Sequence, residues 1–307
     1  MFENLFTKGG LSLERLRSFL EMAQAGSIAK AAPHDTTRQS LISRQIKELE
    51  AYFGTELTHR QGKTLSLSPA GHRLASLIRE QLQDLEDFRR EQEHQPKVFT
   101  LGAGASTLEW LVTPYLPAIA ERLGGAVLRT ELRRSQPLVE SIQDGRIDLA
   151  ILRKNAIPDA TRHNCQAVMK LTFHLCLPKR LVRSQLNTDQ LTLPSHWQSL
   201  PFAAGRDNGQ MDQAIRDAMH KLGVPFKPRF ECGSMLQVSQ LVKQGHCAAV
   251  LPNLALPGLN PALLHILPFT PLATYGRQLV LHWNPRQMSR RGVELHQLKQ
   301  IAALMQG

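Results

Sequence analysis

Three groups of residues in this 307-residue chain have types and spacings that could do chemistry. The first is Thr37-Arg38-Gln39-Ser40, followed by Ser43-Arg44 and Lys47. Gln39 can pair bidentately with adenine, Arg38 or Arg44 with guanine or phosphate, and Ser43 and Lys47 can hold a sugar–phosphate backbone. Arg60 and Lys63 flank a short Gly-containing turn and could reach an adjacent minor groove or its phosphates. The second group is Gly102-Ala103-Gly104-Ala105-Ser106-Thr107, where small residues, hydroxyls and backbone N–H groups suit an anion. As a dinucleotide fingerprint it is weak, because Thr107 occupies the third glycine position and Glu121, the acidic candidate for a ribose, falls inside the predicted helix. The third group, His163, Cys165, His174 and Cys176, brings nitrogen and sulfur donors close in sequence, but at a spacing that matches no common zinc site. No Ser-His-Asp order or paired-carboxylate motif stands out. The expectation is a chain that is not an enzyme, with no catalytic residue, no metal and no cofactor.

These residues need elements to position them. Leu16, Phe19, Leu20 and Ala23 predict a helix over Leu13–Ala25, stopped by Gly26. Ser27 is a good N-cap for a second helix, Ile28–Ala32, which Pro33 ends. A third helix is predicted from Arg38 to Phe53, with Leu41, Ile42, Ile46, Leu49 and Phe53 on its apolar side and Gly54 as its stop. Glu56–Ser68 reads as a hairpin around Arg60-Gln61-Gly62-Lys63. One basic helix alone would be a solvated face. The ordered set of helix, turn, polar helix and basic hairpin instead matches a winged helix-turn-helix, in which the N-terminal end of the recognition helix faces base edges.

From Pro69 to about Gln95, Leu74, Ile78, Leu82, Leu85 and Phe88 form a narrow apolar seam on a charged helix. Such a seam fits a dimerisation helix, the alternative being a helix lying on its own domain. After Pro96, strand and helix patterns alternate: Val98–Leu101, Leu108–Leu123, Val127–Leu132, Leu138–Asp144 and Ile147–Leu152, then Leu171–Leu177, Phe202–Ala204, Met211–Leu222, Met235–Gln244, Ala248–Leu251 and Leu279–Leu281. This predicts an α/β domain with a mostly parallel sheet.

Composition sets the frame. Apolar residues make up 42% and charged residues 21%, ordinary globular values, and no run approaches a membrane span. The N-terminus has no export signal, and four scattered cysteines form no disulfide framework, so a cytoplasmic protein with free thiols is expected. The net charge is +11, and residues 91–307 carry 24 basic against 15 acidic side chains, which favours an anionic partner for that part.

Ala31-Ala32, Gln39, Ser43-Arg44-Gln45-Ile46-Lys47-Glu48-Leu49-Glu50, Gly54, Leu57, Arg60 and Ser68-Pro69-Ala70-Gly71 resemble the DNA-binding domain of LysR-type transcriptional regulators. The spacing is kept without a gap from Ala31 to Gly71. Asp35 stands where the family has a buried Leu, Thr37-Arg38 replaces a Leu-Ser pair, and Asp35 could cap the third helix. The resemblance extends over the rest of the chain. It implies an α/β multidomain protein: a winged helix-turn-helix over 13–71, a linker and dimerisation helix over 72–95, and an effector-binding domain over 97–307. That last domain resembles periplasmic binding proteins, with one subdomain formed by 97–168 and 269–307 and the other by 169–268. The partners implied are double-stranded DNA, a small effector, a second copy in a homodimer or homotetramer, and RNA polymerase, with no membrane.

In aromatic-acid-responsive members, the loop after the first strand of the effector domain carries a hydroxyl that meets the ligand carboxylate. Ser106 takes that position, beside Thr107, and Ser135 matches a second hydroxyl. Arg153 could pair with a carboxylate, its alternative being a surface ion pair. Asn208 and Gly209 would face the same cleft from the second subdomain, and Ser234 is a further candidate. Cys232 and Cys247 could form a regulatory disulfide as in peroxide-sensing relatives. The alternative reading is a solute-binding or Rossmann-like enzymatic domain fused to a DNA-binding module.

Overall fold

A computed structural model describes residues 3–306 except Lys8, Gly62, Lys63, Ser184, Asp207, Asn208 and Gly276. The chain divides into two compact units, one holding residues up to Val98 with Glu140–Asp148 and Asn284–Gly292, the other holding the remainder.

The first unit begins with a short turn of helix, α1 (Glu3–Phe6), and then α2 (Leu13–Ala25), which Ser12 caps and Gly26 ends in the left-handed conformation. Ser27 caps α3 (Ile28–Ala31). Asp35 caps α4 (Thr36–Phe53), its carboxylate accepting from the Arg38 N–H at 2.8 Å. The recognition-type helix therefore starts two residues before the predicted Arg38, because a side-chain acceptor at Asp35 satisfies the otherwise orphaned first-turn donors. β1 (Thr58–Gln61) and β2 (Thr64–Leu67) pair antiparallel, Thr58 opposite Leu67, as the predicted hairpin. Ser68 and Pro69 start α5 (Pro69–Gln92).

Phe19, Met22, Ile42, Ile46, Leu49, Leu57, Ala75 and Ile78 form the core of this small bundle. Gly71 sits where a Cβ would lie 2.0 Å from the Leu57 carbonyl oxygen, so the start of α5 reaches the hairpin only because that residue has no side chain. The seam on α5 splits in two. Leu74, Ile78 and Leu82 pack on their own core, whereas Leu85 is 56% and Phe88 61% exposed.

Further along α5, Arg291 lies 1% exposed between the carboxylates of Asp87 and Asp148, which are 7% and 8% exposed. It donates to both Asp87 oxygens at 2.8 and 3.0 Å, to Asp148 at 2.7 Å and to the Val98 carbonyl at 2.7 Å. Beside it, Arg290 pairs with Glu80 at 2.8 Å and with Asp84.

Next in chain order come β3 (Val98–Ala103), α6 (Ala105–Thr107), α7 (Leu116–Arg122), β4 (Val127–Leu132), α8 (Ser135–Gln143) and β5 (Leu149–Arg153). β6 (Cys165–Lys170), β7 (Phe173–Pro178), α9 (Thr188–Leu191), β8 (Ala203–Gly205), α10 (Gln210–Lys221), β9 (Phe230–Cys232) and α11 (Met235–Lys243) follow. The chain ends with β10 (Ala249–Pro252), β11 (Leu264–Pro268), β12 (Gln278–Trp283), α12 (Pro285–Arg290) and α13 (Leu295–Leu304).

One sheet has the order β4-β3-β5-β12-β6, and a second has the order β10-β7-β11, with β8 and β9 paired beside it. The mostly parallel sheet expected from the alternation is in fact mixed. β3 runs parallel to β5, but β12 is antiparallel to both β5 and β6. β12 slots in late between strands that already point the same way, and no crossover helix reverses its direction. β7 pairs antiparallel with both β10 and β11. The single helix predicted over Leu108–Leu123 is broken into a π-turn at Leu108–Val112, a 3-10 turn at Thr113–Tyr115 and α7. Pro114 and Pro117 supply no N–H to the preceding turn, which forbids a regular α-helix there.

Among the described residues no helix is long and apolar enough to cross a membrane, and no group of three or more His, Cys, Asp or Glu side chains could hold a metal ion.

Candidate functional site

The first candidate surface is the N-terminal half of α4. Thr37, Ser40, Arg44 and Lys47 recur at helical spacing and are exposed, with Thr36 beside them in the first turn. Thr36 joins this face because the Asp35 cap starts α4 ahead of the predicted Arg38. The other candidates on α4 are half-buried, and two of them, Arg38 and Gln39, are already engaged. Arg38 donates to Glu21 Oε2 at 2.7 Å and to Ser18 Oγ at 3.5 Å, and this pairing holds the Glu21 carboxyl below the usual carboxylate range. Gln39 Nε2 donates to the Ala32 carbonyl at 2.8 Å, tying α4 back to the end of α3. Bidentate pairing of Gln39 with a base therefore requires that bond to break. Ser43 is half-buried, and Arg44 approaches Glu48 at 3.7 Å while remaining largely exposed. Arg60 lies on β1, and Lys63 falls outside the described residues.

The second candidate is a cavity of about 350 Å³ in the other unit. Ser106 and Thr107 line it from α6, Ser135 from the start of α8, Arg153 from the end of β5, Gly209 from before α10 and Ser234 from before α11. Residues far apart in sequence are thus brought to one space by strand ends and helix starts. Asn208 lies outside the described residues. Ser234 also caps α11, its Oγ accepting from the Gln237 N–H at 3.3 Å.

Apolar side chains, Leu171, Phe173, Leu254 and Leu279 among them, supply much of the wall. The polar groups converge. Arg153 Nε donates to Ser135 Oγ at 3.3 Å, and Arg153 and Arg277 both donate to Gln210 Oε1, the latter at 2.8 Å. The Arg277 guanidinium also lies 4.4 Å over the Tyr275 ring, which meets Phe173 edge-on at 5.7 Å. Burial pushes the Tyr275 hydroxyl up, leaving it a neutral donor across the neutral range.

Sequence reasoning missed Arg134, Gln210, Asp212, Tyr275 and Arg277, all of which line this cavity. Arg134 and Gln210 are direct neighbours of Ser135 and Gly209, so proximity could have flagged them. Tyr275 and Arg277 carry no local motif and reach the site only because β12 pairs with β5. A cavity rich in guanidinium groups with apolar walls can hold a small molecule by its anionic end and bury the remainder.

Two family models match the chain: a bacterial regulatory helix-turn-helix protein model of the lysR family over residues 13–72, and the LysR substrate binding domain over residues 92–297. The chain belongs to the LysR family of transcriptional regulators. A probable nitrogen assimilation transcriptional activator from Synechococcus elongatus is 28% identical over 259 residues, covering 80% of each chain. Among solved structures, a full-length OxyR variant from Pseudomonas aeruginosa superposes with a TM-score of 0.58 at 17% identity, over 96% of this chain and 95% of that one. The full-length LysG regulator from Corynebacterium glutamicum with bound effector Arg gives 0.55 at 16% identity, over 96% of this chain and 99% of that one. These likenesses establish the fold.

The thiols of this LysR-type regulator are free among the described residues. Burial pushes Cys176 up to about 12 and Cys247 up to about 11, and raises Cys232 as well. Thiols held protonated are poor nucleophiles, so burial does not activate Cys232 or Cys247 for the disulfide the resemblance allows.

Proposed function

We propose that this LysR-type regulator reads a specific DNA site with α4 and the hairpin, and adjusts that binding when a small anionic metabolite enters the 350 Å³ cavity. The observation that carries the reading is the convergence of Arg153 and Arg277 on a single acceptor oxygen inside a cavity with apolar walls. Two guanidinium forks aimed at one point suit a carboxylate or phosphate, and Ser106, Thr107 and Ser135 supply hydroxyl donors around it. Gly209 and Ser234, which line the cavity, contact the ligand as well, and Asn208 is assigned the same role from its position in the sequence.

On the DNA side, Thr37, Ser40, Arg44 and Lys47 make the first approach. Arg38, Gln39 and Ser43 stand behind them, with Arg60 and Lys63 reaching backbone or minor groove. The exposed Leu85 and Phe88 meet a second copy through α5, and pairs of dimers form a homotetramer that contacts promoter DNA and RNA polymerase in the cytoplasm. The working parts are residues 13–71 for DNA, 72–95 for pairing and 97–307 for the effector, the last made of 97–168 with 269–307 and of 169–268. Ligand closure of such a domain biases the angle between paired subunits, a population shift that DNA bending reads out.

The test is a thermal-shift screen of anionic metabolites on the full chain and on Arg153→Ala. A stabilising anion that no longer stabilises Arg153→Ala supports the assignment. Equal stabilisation of both proteins places the ligand elsewhere.

A further inference from the structure

Gln210 is the first residue of α10, and its amide oxygen accepts from Arg153 Nη1 and, at 2.8 Å, from Arg277 Nη1. One guanidinium comes from the end of β5 and the other from just before β12. A second bond, Arg153 Nε to Ser135 Oγ, and the stacking of Arg277 on Tyr275 fix where both groups point. Guanidinium groups bond a carboxylate more strongly than a neutral amide oxygen, since the hydrogen bond is then charged on both sides. The protein thus supplies, from its own helix, a weak version of the acceptor that two strong donors are built to take.

We propose that Gln210 is a tethered stand-in for the effector's carboxylate: its Oε1 holds the acceptor position between Arg153 and Arg277, and an anionic ligand binds by displacing it. The inference rests on the reading of this cavity as the effector site. Two consequences follow from the chemistry. A neutral amide or alcohol gains nothing by replacing an amide, so the stand-in filters ligands by charge. Displacement also frees the start of α10 from β5 and β12, which couples occupancy of the cavity to the placement of that helix.

A competitor within the chain lowers apparent affinity by the fraction of molecules in which the site is uncovered. Removing it tightens binding, by about tenfold if roughly a tenth of the molecules are uncovered at any moment. The experiment is isothermal titration of the full chain with hexanoate and with hexanamide, a matched charged and neutral pair with an apolar tail. The proteins compared are wild type, Gln210→Ala, Gln210→Glu and Arg153→Ala, with the melting temperature of each measured without additive. Gln210→Ala is expected to bind hexanoate about tenfold more tightly than wild type. Gln210→Glu, which places a permanent carboxylate between the guanidinium groups, is expected to lose hexanoate binding and to melt about 2 °C higher. Hexanamide is expected to show no measurable binding to wild type.

Wild-type or weaker hexanoate affinity in Gln210→Ala overturns the stand-in, making Gln210 a bystander or a ligand donor. Retained hexanoate binding in Arg153→Ala contradicts the effector-site reading itself, so the two failures are distinct. If hexanoate binds none of the four proteins, Gln210→Glu decides: an unchanged or lower melting temperature overturns the proposal.

Discussion

Replacing Arg291 with methionine removes a cation that lies between two buried carboxylates. The guanidinium donates twice to Asp87, to Asp148 and to the Val98 carbonyl, and all three side chains are almost fully excluded from water. Methionine fills comparable volume, so the loss is electrostatic rather than a cavity. Breaking a buried ion pair by removing one partner is worth about 3–5 kcal/mol, because the remaining charges stay desolvated. Asp87→Asn is a milder change. It leaves Arg291 paired with Asp148 and keeps an acceptor in place, so a loss of about 1–2 kcal/mol is expected. Arg291→Lys should recover little, since an ammonium cannot reproduce the bidentate fork on Asp87. The assay is urea denaturation followed by a probe of α5, with midpoint and slope fitted for each variant. A loss of less than about 1 kcal/mol in Arg291→Met, or one no larger than in Asp87→Asn, would show that the ion pairs do not hold this site together.

Three further outcomes are expected. Gly71→Ala, whose Cβ would sit 2.0 Å from the Leu57 carbonyl oxygen, should destabilise the DNA-binding bundle by about 2 kcal/mol or more in the same denaturation assay. Leu85→Glu with Phe88→Glu should leave circular dichroism unchanged but shift the species seen in sedimentation velocity toward monomer, since both side chains are exposed on α5. Glu21 has a depressed carboxyl pKa caused first by its bond to Arg38, so its contribution is fully present above the unfolded value of about 4.3 and is lost as pH falls through the folded value. The melting temperature of wild type should therefore exceed that of Glu21→Gln by a constant margin from pH 6 to pH 8, and the margin should close below about pH 4.

Local signals were legible in the sequence, and long-range pairings were not. Spacing and stop residues placed α2 over its observed span, and the cap at Asp35 that lengthens α4 was visible as a side chain able to accept first-turn N–H groups. The narrow seam on α5 was also visible. Its division was not, because whether Leu82 or Leu85 meets the core depends on where the bundle ends. Pro114 and Pro117 mark the break after α6 in the sequence, although the apolar period runs on across them. β6 went unassigned because Val168 is its one fully buried side chain, so it carries almost no alternation. In the cavity, hydroxyls and glycines that follow strands were readable as candidates. Tyr275 and Arg277 depend on the pairing of β12 with β5, and the Arg291 triad joins three segments distant in sequence, so no local pattern encodes either.

Recognition of particular DNA sites by α4 of this LysR-type regulator can be read directly. The most direct measurement is capture of fragmented genomic DNA on the purified full chain at two salt concentrations, with sequencing of what remains. Non-specific binding collapses as salt rises, so retained fragments report base readout. A small set of intergenic fragments with two-fold related half-sites is expected at the higher salt, lost when Gln39, Ser43 and Arg44 are replaced together by alanine. Retention of the same fragments by that variant, or retention without sequence preference, would contradict it.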